Sequence, residues 1–121
     1  AQRNDFSIQM QQDEIRVHFD PSHLQQILTN LCENGIRHTN ETAVNKEQFK
    51  IELHAGISEN NSRPYLDIID HGTGIDTDTA AHIFEPFYTT AETGTGLGLY
   101  ISRELAECNQ AHLTLLQNKN K

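Results

Sequence analysis

Tryptophan is absent, cysteine occurs twice, proline three times, and only 9 of the 121 residues are lysine or arginine. Each scarcity excludes something. Nine basic against 17 acidic residues give a formal net charge of −8, and no dense Lys/Arg cluster interrupts it, which argues against a nucleic-acid or anionic-membrane surface. Cys32 and Cys108 show neither C-x-x-C nor Cys/His ligand spacing, so both read as reduced structural thiols of a cytoplasmic domain. No apolar run approaches the ~20 residues of a membrane span, and no secretory signal opens the sequence, so these residues read as soluble. The seven histidines include no H-E-x-x-H pair or other metal-ligand spacing and read as scattered surface imidazoles. There is no G-x-x-x-x-G-K-[ST], which excludes the P-loop mode of phosphate binding. The dinucleotide fingerprint is missing too, because the glycine run here is spaced G-x-G-x-G and follows a Thr-rich loop instead of a strand.

What remains is a chain with 36% hydrophobic residues, enough for one core and one domain over residues 1–121. Residues 6–19 alternate, with Phe6, Ile8 and Met10, then Ile15, Val17 and Phe19 after a polar break, which predicts two short strands in a hairpin. Asp20-Pro21 is a helix start: Asp caps the first free N–H groups and Pro is tolerated at the first helical position. Leu24, Ile27, Leu28, Leu31 and Ile36 then recur with a period near 3.6, predicting a helix over 22–38 and a loop over 39–48. Residues 51–57 and 65–70 alternate as partner strands around a turn at 58–64, and Asp70 shares the face of Leu66 and Ile68. A short helix is expected over 77–84 and a longer one over 97–108, with Leu97, Ile101, Leu105 and Cys108 on its buried stripe. A last strand is expected over 111–116. The order β-β-α-β-β-α-α-β implies an α+β fold, a two-layer sandwich with a mixed sheet and about three helices on one face.

Three features carry chemistry. On the first helix Asn30, Asn34 and Arg37 fall at i, i+4 and i+7 and align in one stripe. Amide oxygens are hard neutral ligands suited to Mg²⁺, although two asparagines in such a place are equally read as solvated helix positions. Asp70-His71-Gly72-Thr73-Gly74-Ile75 ends a strand with a carboxylate and two glycines. A carboxylate accepts from an exocyclic amine and so selects adenine over guanine, while an ordinary Asp-x-Gly turn has the same letters. Third, Phe84-Glu85-Pro86-Phe87-Tyr88-Thr89-Thr90 leads into Gly94-Thr95-Gly96-Leu97-Gly98-Leu99. This is a glycine-rich turn opening a helix, with exposed N–H groups and a partial positive charge where a phosphate would sit.

Taken together and in this order, these segments resemble the N box (30–38), first glycine box (70–75), F box (84–88) and second glycine box (94–99) of sensor histidine kinases. The run Phe-Glu-Pro-Phe-Tyr-Thr-Thr is most similar to the nitrogen-regulation and PilS-like branch. The resemblance implies the Bergerat ATP-binding fold shared with heat-shock chaperones, MutL-type mismatch-repair proteins and type II topoisomerases. It also implies ATP and Mg²⁺ as ligands, with Asn34 on the metal, Asn30 assisting there, and Arg37 and His38 facing the phosphates. Asp70 would take the adenine amine, with Gly72, Gly74 and Ile75 around the base. Gly94, Thr95, Gly96, Leu97 and Gly98 would wrap the phosphates, and Phe84 and Phe87 would anchor the lid. Glu33 is either a polarising contact for the acceptor or a surface helix residue. ATPases of this fold carry a Glu at the position of Asn30, and an amide cannot take a proton from water, so transfer to a protein side chain is expected in place of hydrolysis.

Three departures from the family pattern qualify these expectations. No histidine lies in an H-E-x-x-x-P setting, so the phosphoacceptor is expected on a separate dimerisation domain. The lid sequence Thr89-Thr90-Ala91-Glu92-Thr93 has no basic residue. No glycine follows Gly98, where relatives end in a Gly-containing hairpin, so the sequence reads as cut short of that hairpin. The implied partners are the dimerisation domain of a homodimeric parent and a cognate response regulator, with no nucleic acid. The isolated domain is expected to be monomeric, and the branch resemblance suggests a parent anchored in the inner membrane.

Overall fold

A computed structural model of the chain describes residues 5–42, 50–71, 76–88 and 96–115. They form strand β1 (Asp5–Met10), helix α1 (Pro21–Thr42), strands β2 (Lys50–Ile57) and β3 (Pro64–Asp70), and helices α2 (Thr77–His82) and α3 (Gly98–Cys108). Two compact units emerge, one from residues 1–18 and 32–73, the other from residues 19–31 and 74–121.

The first unit is built on a three-stranded sheet of order β1-β2-β3. β2 and β3 pair antiparallel from Ile51↔Asp70 to Ile57↔Pro64, as the alternation predicts. β1 does not fold back on a second strand. It pairs parallel to β2, with Ile8 beside Leu53 and Met10 beside Ala55, and residues 14–20 have no regular structure. The expected hairpin is therefore replaced by a crossover through α1, since a parallel pair needs a long connection. The ladder is extended past Met10 by Gln11: its N–H donates to Ala55 O at 3.1 Å, and its side-chain Oε1 accepts from Ile57 N–H at 2.7 Å. The β2–β3 turn closes with Ser58 N–H on Arg63 O at 2.9 Å and Ser62 in the left-handed region, φ 58°.

Because partners in register share a face, Ile51, Leu53 and Ala55 lie with Asp70, Ile68 and Leu66 on one side of the sheet. Ile51 is fully buried there, and Gly35 of α1 is buried against it. The opposite side presents Glu52 and His54 from β2, in register with Ile69 and Asp67.

In the second unit α1 starts where expected. Asp20 Oδ1 accepts from Ser22 N–H at 2.9 Å, Ser22 Oγ–H at 2.7 Å and His23 N–H at 3.3 Å. Those bonds, the Ser22 hydroxyl foremost, hold the Asp20 carboxyl below the usual carboxylate range. Asn109, just past α3, ties this start to the end of α3. Its Oδ1 accepts from Asp20 N–H at 2.9 Å, its Nδ2 donates to Leu105 O at 2.8 Å and lies 3.1 Å from His23 Nδ1. Asp76 caps α2 through Thr79 N–H at 2.7 Å.

The buried stripe of α3 departs from the apolar periodicity. Its buried residues are Ser102 and Ala106, while Cys108 is exposed and Ile101 and Leu105 are half-buried. Gly98, Ser102 and Ala106 form a line of small side chains at i, i+4 and i+8, and a Cβ on Gly98 would lie 3.9 Å from the Asn30 side chain. Small residues let α1 approach closely, so proximity overrides the count of large apolar residues. Residues 111–115 hold no strand; the remainder of that expectation lies outside the described residues. Both cysteines are free, and burial pushes the Cys32 thiol up, away from reactivity.

Candidate nucleotide-binding site

In the first unit Asp70 is the last ladder residue of β3 and lies half-buried on the helix-facing side of the sheet. A Cβ at Gly35 would stand 3.9 Å from Asp70 Cβ, so the N-box glycine lies directly by the strand end that carries the carboxylate. Asn34, half-buried, precedes it, and its Oδ1 accepts a short hydrogen bond from Arg37 Nη2 within the same helix. The guanidinium thus covers the amide oxygen expected to meet a metal. Glu33 is exposed. The side chain of His38 and the whole of Gly72, Gly74 and Ile75 lie outside the described residues.

In the second unit Asn30 is held from below. Its Nδ2 donates to Gly98 O at 3.3 Å and to the Oγ of fully buried Ser102 at 3.1 Å. A carbonyl oxygen only accepts, so the NH₂ end of the amide must face Gly98, and Oδ1 is turned away from α3. The amide is therefore oriented by α3, at the start of the helix that follows the second glycine box. The sequence stripe caught Asn30 but missed Ser102. Ser102 stands between Ile101 and Arg103 in a helix that also carries Glu104 and Glu107, and no local pattern singles it out.

The loop between α2 and α3 is pinned at its ends. Phe87 N–H donates to Gly96 O at 2.8 Å, and both residues are left-handed, φ 69° and 74°. Positive φ is a true outlier for a phenylalanine, which is also 74% exposed. At Gly96 a Cβ would stand 2.7 Å from Phe87 Cα and O, so only glycine fits this crossing. Leu97 and Gly98 follow at the head of α3. Gly94 and Thr95 lie outside the described residues. Upstream, Arg103 stacks 4.1 Å over the Phe84 ring, and His82 pairs with Glu85 and lies 5.5 Å from Tyr88. A concavity of about 690 Å³ opens here, lined by Ala81, Phe84, Pro86, Tyr100, Arg103 and Leu115. Its lining includes Phe84, expected as a lid anchor, and none of the residues expected to touch nucleotide or metal. Among the described residues no group of three His, Cys, Asp or Glu is arranged to hold a metal ion.

The first unit holds a mixed sheet with a carboxylate at a strand end beside a helix, and the second holds an oriented helix amide and a glycine at the head of the last helix, elements of an α/β domain. The profile of the histidine kinase-, DNA gyrase B- and HSP90-like ATPases matches residues 19–120, and the chain belongs to that family as the ATP-binding catalytic domain of a sensor histidine kinase. It is 39% identical over 113 residues to the sensor protein kinase PilS of Pseudomonas aeruginosa, covering 92% of this chain and 21% of PilS. With the sensor histidine kinase YkoH of Bacillus subtilis it shares 32% identity over 111 residues, covering 87% of this chain and 22% of YkoH. The fold is similar to a nucleotide-free form of the catalytic domain of histidine kinase ThkA, with a TM-score of 0.71 at 30% identity, over 87% of this chain and 64% of that one. The chain thus spans about a fifth of the length of PilS and of YkoH. No helix among the described residues is long and apolar enough to cross a membrane.

Proposed function

We propose that this domain binds ATP with Mg²⁺ and that its parent, a homodimeric sensor kinase, uses it to phosphorylate a histidine on its own dimerisation domain, from which a cognate response regulator is charged. In the first unit Asp70 accepts from the adenine amine, with Gly72, Gly74 and Ile75 lining the base. Asn34 offers its Oδ1 to the metal. Arg37 is bonded to that oxygen and would be free to face the phosphates if Asn34 held a cation, and His38 lies one residue on. In the second unit Asn30 offers its oxygen as a polar contact for metal or phosphate. Gly94, Thr95, Gly96, Leu97 and Gly98 surround the phosphates with N–H groups, on a loop anchored by Phe84 and Phe87. Glu33 stands on the exposed side of α1, where it can polarise an incoming acceptor. A cation held by Asn34 would supply neutralisation of the charge that develops on the ADP leaving group.

The observation that carries this reading is the fixed orientation of Asn30. Its NH₂ donates to Gly98 O and Ser102 Oγ, and a glutamate there would set carboxylate oxygens against a carbonyl. The position is built for an amide, which cannot deprotonate water, and this favours transfer over hydrolysis. The test is to incubate the domain with labelled ATP, Mg²⁺ and the parent's dimerisation domain. Acid-labile phosphohistidine should form on the latter, with little phosphate released by the isolated domain. Nucleotide binding without transfer would indicate a regulatory module, and rapid phosphate release an ATPase; either result overturns the proposal. Asp70→Asn should weaken ADP binding at least tenfold by losing a charged acceptor, and an unchanged titration would remove Asp70 from the site.

A further inference from the structure

We infer that Glu52 is a positioning residue for the adenine end of the site, holding Asp70 in place through His71. This rests on the assignment of Asp70 to the adenine amine.

Among the described residues the β2–β3 ladder ends at the pair Ile51↔Asp70, and the ends of a ladder are where local opening begins. His71 is the next residue, and its Nε2–H donates to Glu52 Oε2, across the strand on the sheet face opposite Ile51 and Asp70. The other carboxylate oxygen, Oε1, accepts from His54 Nε2–H at 3.1 Å, two residues along β2. A carboxylate only accepts, so both imidazoles present Nε2–H to it, and two-point anchorage stops Glu52 from swinging away. The three side chains are 22%, 33% and 32% exposed for Glu52, His54 and His71, partly withdrawn from water, which separates this tie from a fully solvated surface pair. These bonds, that from His71 foremost, also hold the Glu52 carboxyl below its ordinary range. Asp67, opposite His54 in the β2–β3 register, shares this face. The clamp therefore sits on one face of the sheet and steadies a functional carboxylate on the other, by fixing the peptide that joins Asp70 to His71.

The test is a titration of ADP and inosine diphosphate, whose base has a 6-oxo group and an N1–H in place of the 6-amine that Asp70 reads and the unprotonated N1 beside it. Wild type should prefer ADP. Glu52→Ala and His71→Ala should each lower that preference about tenfold, the worth of a displaced charge-assisted bond, while inosine diphosphate affinity stays close to wild type. The double variant should lose no more than either single one. A merely structural role would lower both affinities together and leave their ratio intact. An unchanged ratio in either single variant, or losses that simply add, would overturn the inference. Failure of wild type to prefer ADP, or an unaltered preference in Asp70→Asn, would overturn instead the assignment of Asp70 on which it rests.

Discussion

Gly35 sits in the interior of the 22-residue helix α1, buried between Ile51 and Asp70, and replacing it with alanine should stabilise the domain. Its φ is not positive, so no left-handed turn requires glycine there. A Cβ would meet Ile51 Cδ1 at 3.4 Å and Asp70 Cβ at 3.9 Å, ordinary van der Waals contact rather than overlap. Glycine in a helix interior is about 1 kcal/mol less favourable than alanine, because the unfolded chain loses more freedom on folding. A buried methyl adds up to ~0.8 kcal/mol of transfer free energy. Since Ile51 is fully buried and the 3.4 Å contact is at the tight end of the range, that second contribution is discounted. The net expectation is about 1 kcal/mol, or a rise of about 4 °C in Tm for a domain of this size. Thermal and urea melts of Gly35→Ala would measure it, with ADP titration alongside. A lower Tm would show that Ile51 has no room to give, and the packing drawn here between α1 and the sheet would be wrong. A higher Tm with weakened ADP binding would show instead that the new methyl pushes Asp70 out of position.

Other perturbations have equally definite outcomes. Gly96→Ala places a Cβ against the Phe87 backbone at φ 74° and should cost about 1–3 kcal/mol, read in a urea melt; wild-type stability would mean that Phe87 yields. Asn30→Asp sets a carboxylate against Gly98 O in a half-buried position, so it should destabilise by about 1–3 kcal/mol and release no more phosphate than wild type. The carboxyls of Asp20, Glu52 and Asp76 are all held below their ordinary range: by the Ser22 hydroxyl, by His71, and by the Thr79 N–H respectively. The folded state therefore binds fewer protons than the unfolded chain, so their contribution is complete above the unfolded carboxylate pKa of about 4 and is lost as pH falls through the lower folded values. Urea midpoints from pH 6 downward should drop in that acid window, and Asp20→Asn, still a good N-cap, should flatten the slope with little loss at pH 7. A midpoint that rose on acidification would contradict all three assignments.

Much of the fold was legible because its signals act over a few residues. Asp20-Pro21 announced α1, alternation announced β2 and β3, and the turn residues between them set an antiparallel register. The helix start at Gly98 followed from the glycine run, and Asp70 was correctly placed on the apolar face of its strand. What failed was whatever depended on a distant partner. Residues 6–10 and 15–19 had the letters of a hairpin, yet β1 found its partner in β2, beyond α1, and residues 14–20 were left irregular. The large apolar residues of α3 suggested one buried stripe, while the close approach of α1 selected Gly98, Ser102 and Ala106.

The sequence by itself determined the chemical vocabulary of this domain: two helix amides, a strand-end carboxylate, a glycine turn, no P-loop lysine and no phosphoacceptor motif. These follow from residue types and short spacings, which survive in any fold that keeps helix and strand period. Only the tertiary structure decided which way each group points. Asn30 is oriented by partners 68 and 72 residues away, and the clamp behind Asp70 joins Glu52 to a histidine 19 residues on. No local pattern encodes such pairings. Asn30 meets its partners because the close approach of α1 to α3 brings its amide out of water, where it must find an acceptor, and Glu52 meets His71 because strand register sets both on one face of the sheet.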